Sequence, residues 1–248
     1  MMKMKRAVHY FQRLNSGYYN YLLLFLVFLF ALRPYEQGIA YFAIWKFFFT
    51  CTFLTAIFNC KHHRGIKLTA IVLVIPTLTF SWLELVSPLE SFFVLNVLCT
   101  IGFLGICTSS MLFNVILHAK VTLETLRGVV CGYFMVAFLF AYIYFLIEYL
   151  IPGSFHLIER DISFITYSRN LSSMMYFSFV TLLTIGFGDI TPLLNLSQTG
   201  VVIEGIIGQF YIAILVARIV SVYSFLADKK LVENVIKKTR PRKSKTTE

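Results

Sequence analysis

The chain has 248 residues, of which 58% are hydrophobic and only 14% are charged. Because soluble domains carry a charge on about a quarter of their residues, this composition excludes an ordinary soluble protein. The net charge is +10. Most Lys and Arg residues lie at the two ends and between apolar runs, where the positive-inside bias of membrane proteins accounts for them. No nucleic acid is therefore expected as a partner.

In chain order, six apolar runs are long enough to span or nearly span a bilayer, which needs about 20 apolar residues per helix. They are residues 18–32, 39–58, 68–86, 92–117, 129–150 and 200–226. Because backbone in lipid must satisfy its own hydrogen bonds, each run predicts a helix. A shorter run, 174–185, lies between the fifth and the sixth. It predicts a re-entrant helix, which is tolerated only where protein buries it.

The basic residues predict the orientation of these helices. If the six runs cross the membrane in alternation, 17 of the 22 Lys and Arg residues fall on one side. The positive-inside rule assigns that side to the cytosol. Both termini are then cytosolic in the cell membrane, and the loop between the fifth and sixth runs faces outward.

The predicted organisation has four parts. A basic N-terminus (1–17) precedes a four-helix module (18–120), a second module (121–226) and a basic cytosolic tail (227–248). Thr122 is expected to cap a brief interfacial helix that carries Leu123 and Leu126. The basic run KKTRPRKSK of the tail is expected to be disordered or held to anionic membrane lipid.

Residues 178–192 read SFVTLLTIGFGDITP and carry the chemistry. A dehydrated cation needs a row of oxygens in place of water, and backbone carbonyls can supply it if the backbone twist alternates. Gly186 and Gly188 permit the positive φ angles that such a row requires. Thr184 adds a hydroxyl at the inner end. The side chains of Ile185 and Phe187 must then point away from the row and brace it.

The stretch TLLTIGFGDITP resembles the signature of the potassium-channel family, in which a TVGYG loop from each of four subunits replaces the hydration shell of K⁺. The resemblance covers residues 121–226, the outer helix, pore helix, filter and inner helix of the two-span pore module. It is closest to bacterial-type channels that place four further helices before that module. The first 120 residues are similar only in the number and length of their spans.

The resemblance implies an all-α membrane protein with six transmembrane helices, a re-entrant pore helix (173–183) and a selectivity-filter loop (184–188). It implies passive, K⁺-selective conduction by a homotetramer, with K⁺ as the permeant ion, no cofactor and no enzymatic activity. Ion sites would be formed by the carbonyls of Thr184, Ile185, Gly186 and Phe187 with the Thr184 hydroxyl, and Gly188 would complete the filter. The residues expected to support the filter are Asp189 at the outer mouth and Tyr176 and Phe177 in an aromatic collar that receives Phe187.

Two positions depart from the usual family pattern. Phe187 replaces a commoner Tyr, so a hydrogen bond from that hydroxyl to the collar is lost. Leu183 stands where a second Thr is usual.

Two residues of the last run carry separate hypotheses. Gly208 is either a hinge, as often in this family, or a site of close helix packing. Glu204 either braces the pore helix by hydrogen bonding near Ser178 or Thr181, or faces a water pocket as a neutral acid. Intramembrane ionisable residues are functional candidates by default.

Other charged residues in or near the spans leave alternatives open. Lys46 either pairs with Glu84 across adjacent helices or snorkels to the outer surface. Glu148 is expected to reach the interface. Arg218 is expected to snorkel or to pair with Asp228 or Glu124.

The fourth run, 92–117, contains no Arg and no Lys. Because voltage sensing needs charges that move through the field, we expect no voltage gating. Two alternatives from other classes stay open. A polytopic transporter or enzyme would need convergent His, Asp or Cys residues, and none stand at suitable spacing. The other is a non-conducting, regulatory channel-like subunit.

Overall fold

The computed structural model describes residues 18–32, 39–59, 64–83, 90–113, 123–156 and 164–239. The part so described is almost entirely helical. The elements are α1 (Tyr18–Ala31), α2 (Ile39–Asn59), α3 (Arg64–Leu83), α4 (Glu90–Phe113), α5 (Leu123–Leu150), β1 (Phe155–His156), α6 (Phe164–Leu182), β2 (Thr191–Pro192) and α7 (Asn195–Thr239). The chain divides into two compact units, residues 1–209 and 210–248. The first unit holds α1–α6, both strands and the start of α7, and the second holds the remainder of α7.

Within the described residues, three helical segments are long and apolar enough to cross a membrane. These are Val94–Phe113, Arg127–Leu150 and Asn195–Ala217. Three shorter apolar segments, Tyr19–Ala31, Ala43–Ile57 and Lys67–Leu83, lie in the first three predicted runs. The described part of the chain is thus almost entirely helical, as predicted, and is consistent with an all-α membrane protein. The count of six spans and the re-entrant helix stay predictions.

Helix boundaries differ from the apolar runs where polar residues interrupt a run without breaking a helix. Leu123 and Leu126 belong to the first turns of α5, so the prediction of a separate interfacial helix is wrong. No proline stands between Leu123 and Val129 to end one helix and start another. Thr122 lies outside the described residues.

The boundaries of α6 and α7 also differ from the predicted ones. The helix predicted over 173–183 begins at Phe164 and ends at Leu182, because its first half is polar but still helical. The last helix begins at Asn195 and runs without a break to Thr239, past the predicted end at residue 226.

Aromatic rings fill the core of the first unit. Phe53 of α2 stacks on Phe103 of α4 with ring centroids 4.2 Å apart and an interplanar angle of 13°. The ring centroids of Phe49 and Phe53, which lie on the same helix, are also 4.2 Å apart. Offset ring pairs at such distances add attraction beyond burial alone. Helix α5 packs against α1, α4 and α6, so it joins the first four helices to the region that follows.

Lys46 is buried at 2% exposure and donates a hydrogen bond to the carbonyl of Ser81. Ser81 lies in the last turn of α3, where carbonyls lack helical partners and a cation is favoured. The burial excludes the snorkelling alternative for Lys46. Its predicted partner Glu84, like the side chain of Arg218, lies outside what the structure describes.

Candidate functional site

The predicted ion-binding segment begins at the C-terminus of α6. The N–H of Leu183 donates to Phe179 O, that of Thr184 to Thr181 O and that of Ile185 to Val180 O, each at 2.9 Å. The last two bonds form a Schellman motif. Its left-handed position, which is usually glycine, is occupied by Thr184 with φ 58°. The helix cap thus sets the conformation of the first residue of the predicted filter.

The sign of φ then alternates along the segment. Thr184, Gly186 and Gly188 have φ values of 58°, 60° and 79°, and the intervening Ile185 and Phe187 have negative φ. The two glycines adopt the positive φ that the sequence predicts for them. A left-handed threonine costs about 1–2 kcal/mol, and the two cap hydrogen bonds offset this cost.

The side chains of Ile185 and Phe187 are 49% and 68% exposed in the single chain. The predicted packing of Phe187 into a collar is therefore not completed by its own chain. Tyr176 is also exposed and hydrogen-bonds the side chain of Asp189, which raises the pKa of the Tyr176 phenol. Asp189 Oδ1 in turn accepts the N–H of Ile190 at 3.1 Å. The bond from Tyr176 holds Asp189, the residue after the predicted filter, to α6.

Phe177, the other predicted collar residue, points into the chain instead. It is buried and packs on Tyr144 and Phe155, with ring centroids 5.5 Å from each. Tyr144 belongs to α5 and Phe155 to β1. Phe177 thus anchors α6 to the C-terminal part of α5 and to β1. Of the two predicted collar residues, only Tyr176 lies beside Asp189.

Leu182, the C-terminal residue of α6, has its carbonyl oxygen in close contact with both α5 and α7. Tyr133 of α5 donates its hydroxyl hydrogen to Leu182 O at 2.8 Å. On the other side, a Cβ at Gly208 of α7 would lie 2.9 Å from the same carbonyl oxygen. Close packing therefore accounts for the glycine at 208, and the hinge stays a prediction.

Glu204 of α7 is fully buried. It hydrogen-bonds Ser178 Oγ of α6 through Oε1, which is one of the two contacts expected from the sequence. Tyr144 donates to Glu204 Oε2 at 2.6 Å, and Ser178 Oγ lies 2.7 Å from the carbonyl oxygen of Ala137. Residues from α5, α6 and α7 therefore meet at one carboxyl group.

The turn that follows α5 is held by a carboxylate. Glu148 accepts the N–H groups of Gly153 and Phe155, both at 2.9 Å. Glu148 therefore caps this turn, and its expected position at the interface stays a prediction. Strand β1 pairs with β2 antiparallel, and Ser197 Oγ of α7 bonds Ser154 O at 2.9 Å. The turn is thereby fixed to the segment that follows Asp189.

No group of three or more His, Cys, Asp or Glu side chains that could hold a metal ion occurs among the described residues. The oxygens that residues 184–188 can offer a cation are backbone carbonyls and the Thr184 hydroxyl. Such a set suits a weakly held alkali cation that must leave again.

Sequence reasoning missed three partners in this region: Tyr133, Tyr144 and the carbonyl of Ala137. A usable signal existed, because Tyr133, Ala137, Ala141 and Tyr144 recur at helical spacing on one face of α5. Two tyrosines on an apolar face imply buried hydroxyls that need partners. The identity of those partners was not readable from spacing.

Residues 132–225 match a family model described as an ion channel. The match takes in most of α5, all of α6, the filter segment and α7 as far as Phe225, which is less than half of the chain. Searches of curated proteins and of solved structures found no match. Residues 132–225 are therefore similar to an ion-channel domain, and the apolar helices suggest an integral membrane protein.

Proposed function

We propose that the chain is one subunit of a potassium-selective channel, which conducts K⁺ passively through backbone carbonyls of residues 184–188. The observation that carries this proposal is the alternating sign of φ, positive at Thr184, Gly186 and Gly188. Alternation of right- and left-handed residues turns successive N–H groups to one side of the backbone. The carbonyl oxygens then face the opposite side in a row, as the replacement of a hydration shell requires.

A homotetramer follows from this geometry as part of the proposal. One loop lines only one side of an ion path, and potassium filters take one loop from each of four subunits. Two exposed apolar surfaces support contact with further copies of the chain. The side chain of Phe187, which lies within the proposed filter, is 68% exposed in the single chain. The span Asn195–Ala217 is only 11% buried, whereas the span Arg127–Leu150 is 61% buried. Neighbouring copies in closed symmetry would cover both surfaces.

The same proposal includes six spans, a re-entrant α6 and cytosolic termini, supported by the apolar runs and the distribution of basic residues. Voltage gating is not part of it. Helix α4 contains no Arg or Lys, so it carries no gating charge.

The test is ion flux from liposomes that contain the purified protein, loaded with K⁺ or with Na⁺. We expect K⁺ flux well above Na⁺ flux. Gly186→Ala should abolish it, because a side chain at φ 60° is strained. Gly105→Ala is the matched control, since the space around Gly105 on α4 is open. K⁺ flux no greater than Na⁺ flux, or none, would overturn the proposal and leave the regulatory-subunit or transporter alternatives.

Assembly is tested separately by the mass of the detergent-solubilised protein. Four chains are expected. A monomer or dimer that still conducts K⁺ selectively would refute the tetramer while leaving selectivity in place.

A further inference from the structure

The carboxyl group of Glu204 lies at the centre of a chain of three oxygen–oxygen contacts. Tyr144 Oη contacts Oε2, Oε1 contacts Ser178 Oγ, and Ser178 Oγ contacts Ala137 O. Each contact needs one hydrogen between its two oxygens. Counting the hydrogens decides the protonation state of the group.

If Glu204 were ionised, only two hydrogens would be present, one from Tyr144 and one from Ser178. A carboxylate and a backbone carbonyl are acceptors only, and a serine hydroxyl donates once. Ser178 would then face two acceptors with one hydrogen. If Glu204 carries a proton on Oε1, it donates to Ser178, Ser178 donates to Ala137 O, and Tyr144 donates to Oε2. All three contacts are then satisfied.

The surroundings favour the same state. Glu204 is fully buried, and among the described residues no Lys or Arg stabilises its charge. An isolated buried carboxylate is strongly disfavoured relative to the neutral acid. The titratable groups that face it are Tyr144 and Tyr133, both on α5, and α6 presents the hydroxyl of Ser178.

We propose that Glu204 is a proton-binding site, held as a neutral carboxylic acid, and that the bound proton positions α6 against α5 and α7 behind the filter. Ser178 stands one turn before Leu182, the last residue of α6, so loss of this link would free the helix that sets Thr184. This inference rests on the proposed channel function for its effect on conduction. The protonation state itself does not depend on that function.

A residue that replaces Glu204 must be able to donate one hydrogen bond and accept another. Glutamine has the shape of the neutral acid, and its amide can donate to Ser178 while its carbonyl accepts from Tyr144. Glu204→Gln should therefore keep thermal stability and flux. Glu204→Leu lacks both groups and should lower flux by about tenfold or more. Tyr144→Phe removes one link and should fall between them.

The sign of the pH dependence follows from the hydrogen count. The complete chain exists in the protonated form, so stability and flux should fall as pH rises and Glu204 loses its proton. In Glu204→Gln the same pH change should have no such effect. Ser109→Ala, an exposed position on α4, serves as the control and should follow the wild type.

The deciding measurement is infrared spectroscopy of the purified full chain at neutral pH. We expect the carbonyl stretch of a protonated carboxylic acid, absent from Glu204→Gln and lost from the wild type at alkaline pH. Absence of this band from the wild type at neutral pH would overturn the proposal. So would Glu204→Gln losing stability as Glu204→Leu does, since that shows that an ionised carboxylate is required.

The infrared readout separates this inference from the proposed function. If the wild type conducts no K⁺ but shows the acid band, the channel function fails and the proton site stands. If the wild type conducts K⁺ but lacks the band, the proton site fails and the channel function stands. Should Glu204→Leu fail to fold, the comparison of wild type with Glu204→Gln decides alone.

Discussion

Gly208→Ala adds one methyl group at the most crowded point of the site. Its Cβ would lie 2.9 Å from Leu182 O and 3.0 Å from Leu182 Cδ1. A carbon and a carbonyl oxygen in favourable contact are about 3.3–3.6 Å apart, so α7 and the end of α6 must separate by about 0.5 Å. Backbone cannot move aside as a side-chain tip does. Overpacking of this kind costs about 1–3 kcal/mol.

Helix propensity acts in the opposite direction, because alanine is favoured over glycine by about 1 kcal/mol in a helix interior. Gly205→Ala is the matched control, since Gly205 is on the same helix and its Cβ would meet nothing within 4 Å. The propensity gain is common to both variants. Their difference therefore isolates the clash, and we expect Gly208→Ala to be the less stable by about 1–3 kcal/mol.

The assay is thermal unfolding of the purified protein in detergent, followed by K⁺ flux from liposomes. For a chain of this size, 1 kcal/mol corresponds to about 2–4 °C in Tm. Flux should fall in Gly208→Ala, because Leu182 lies two residues before the predicted filter, 184–188. Equal Tm values for the two variants would refute the packing argument. Equal stability with altered flux in Gly208→Ala alone would instead indicate a hinge.

Three further substitutions test other contacts by the same unfolding assay. Phe53→Ala should cost about 3–5 kcal/mol, because it removes a ring stacked at 4.2 Å on Phe103; its exposed neighbour Leu54→Ala should cost far less, and similar losses would contradict the packing. Glu148→Ala should cost about 2 kcal/mol by removing the acceptor of two backbone N–H groups, and a larger loss in Glu148→Gln than in Glu148→Ala would argue against this cap. Tyr133→Phe should cost about 1 kcal/mol through its bond to Leu182 O, whereas an equal loss in Tyr21→Phe, at an exposed position, would show that the bond is unimportant.

Much of the architecture was predictable because its causes are local. Apolar length alone placed helices over residues 39–59 and 64–83 to within a few residues, since a bilayer requires runs of fixed length. The positive φ at Gly186 and Gly188 was predictable for a similar reason. Only glycine adopts that conformation without a steric cost, and the pattern of two glycines around one aromatic residue restricts the possible backbones.

Thr184 shows the limit of local reasoning. Its hydroxyl was assigned a role, but its left-handed backbone was not expected, because β-branched residues avoid that region. The cap of α6 overrides the residue's own preference through bonds to Val180 and Thr181. The start of the predicted filter is thus determined by how the preceding helix ends.

By itself, the sequence determined that the chain is helical and membrane-embedded, and where its glycine-dependent backbone lies. Only the tertiary structure decided what surrounds that backbone: Tyr133 and Gly208 on Leu182 O, and Tyr144 and Ser178 on Glu204. The physical reason is that these partners come from three helices whose rotation and crossing are fixed by packing between them. Residues far apart in the chain become neighbours only when that packing is known.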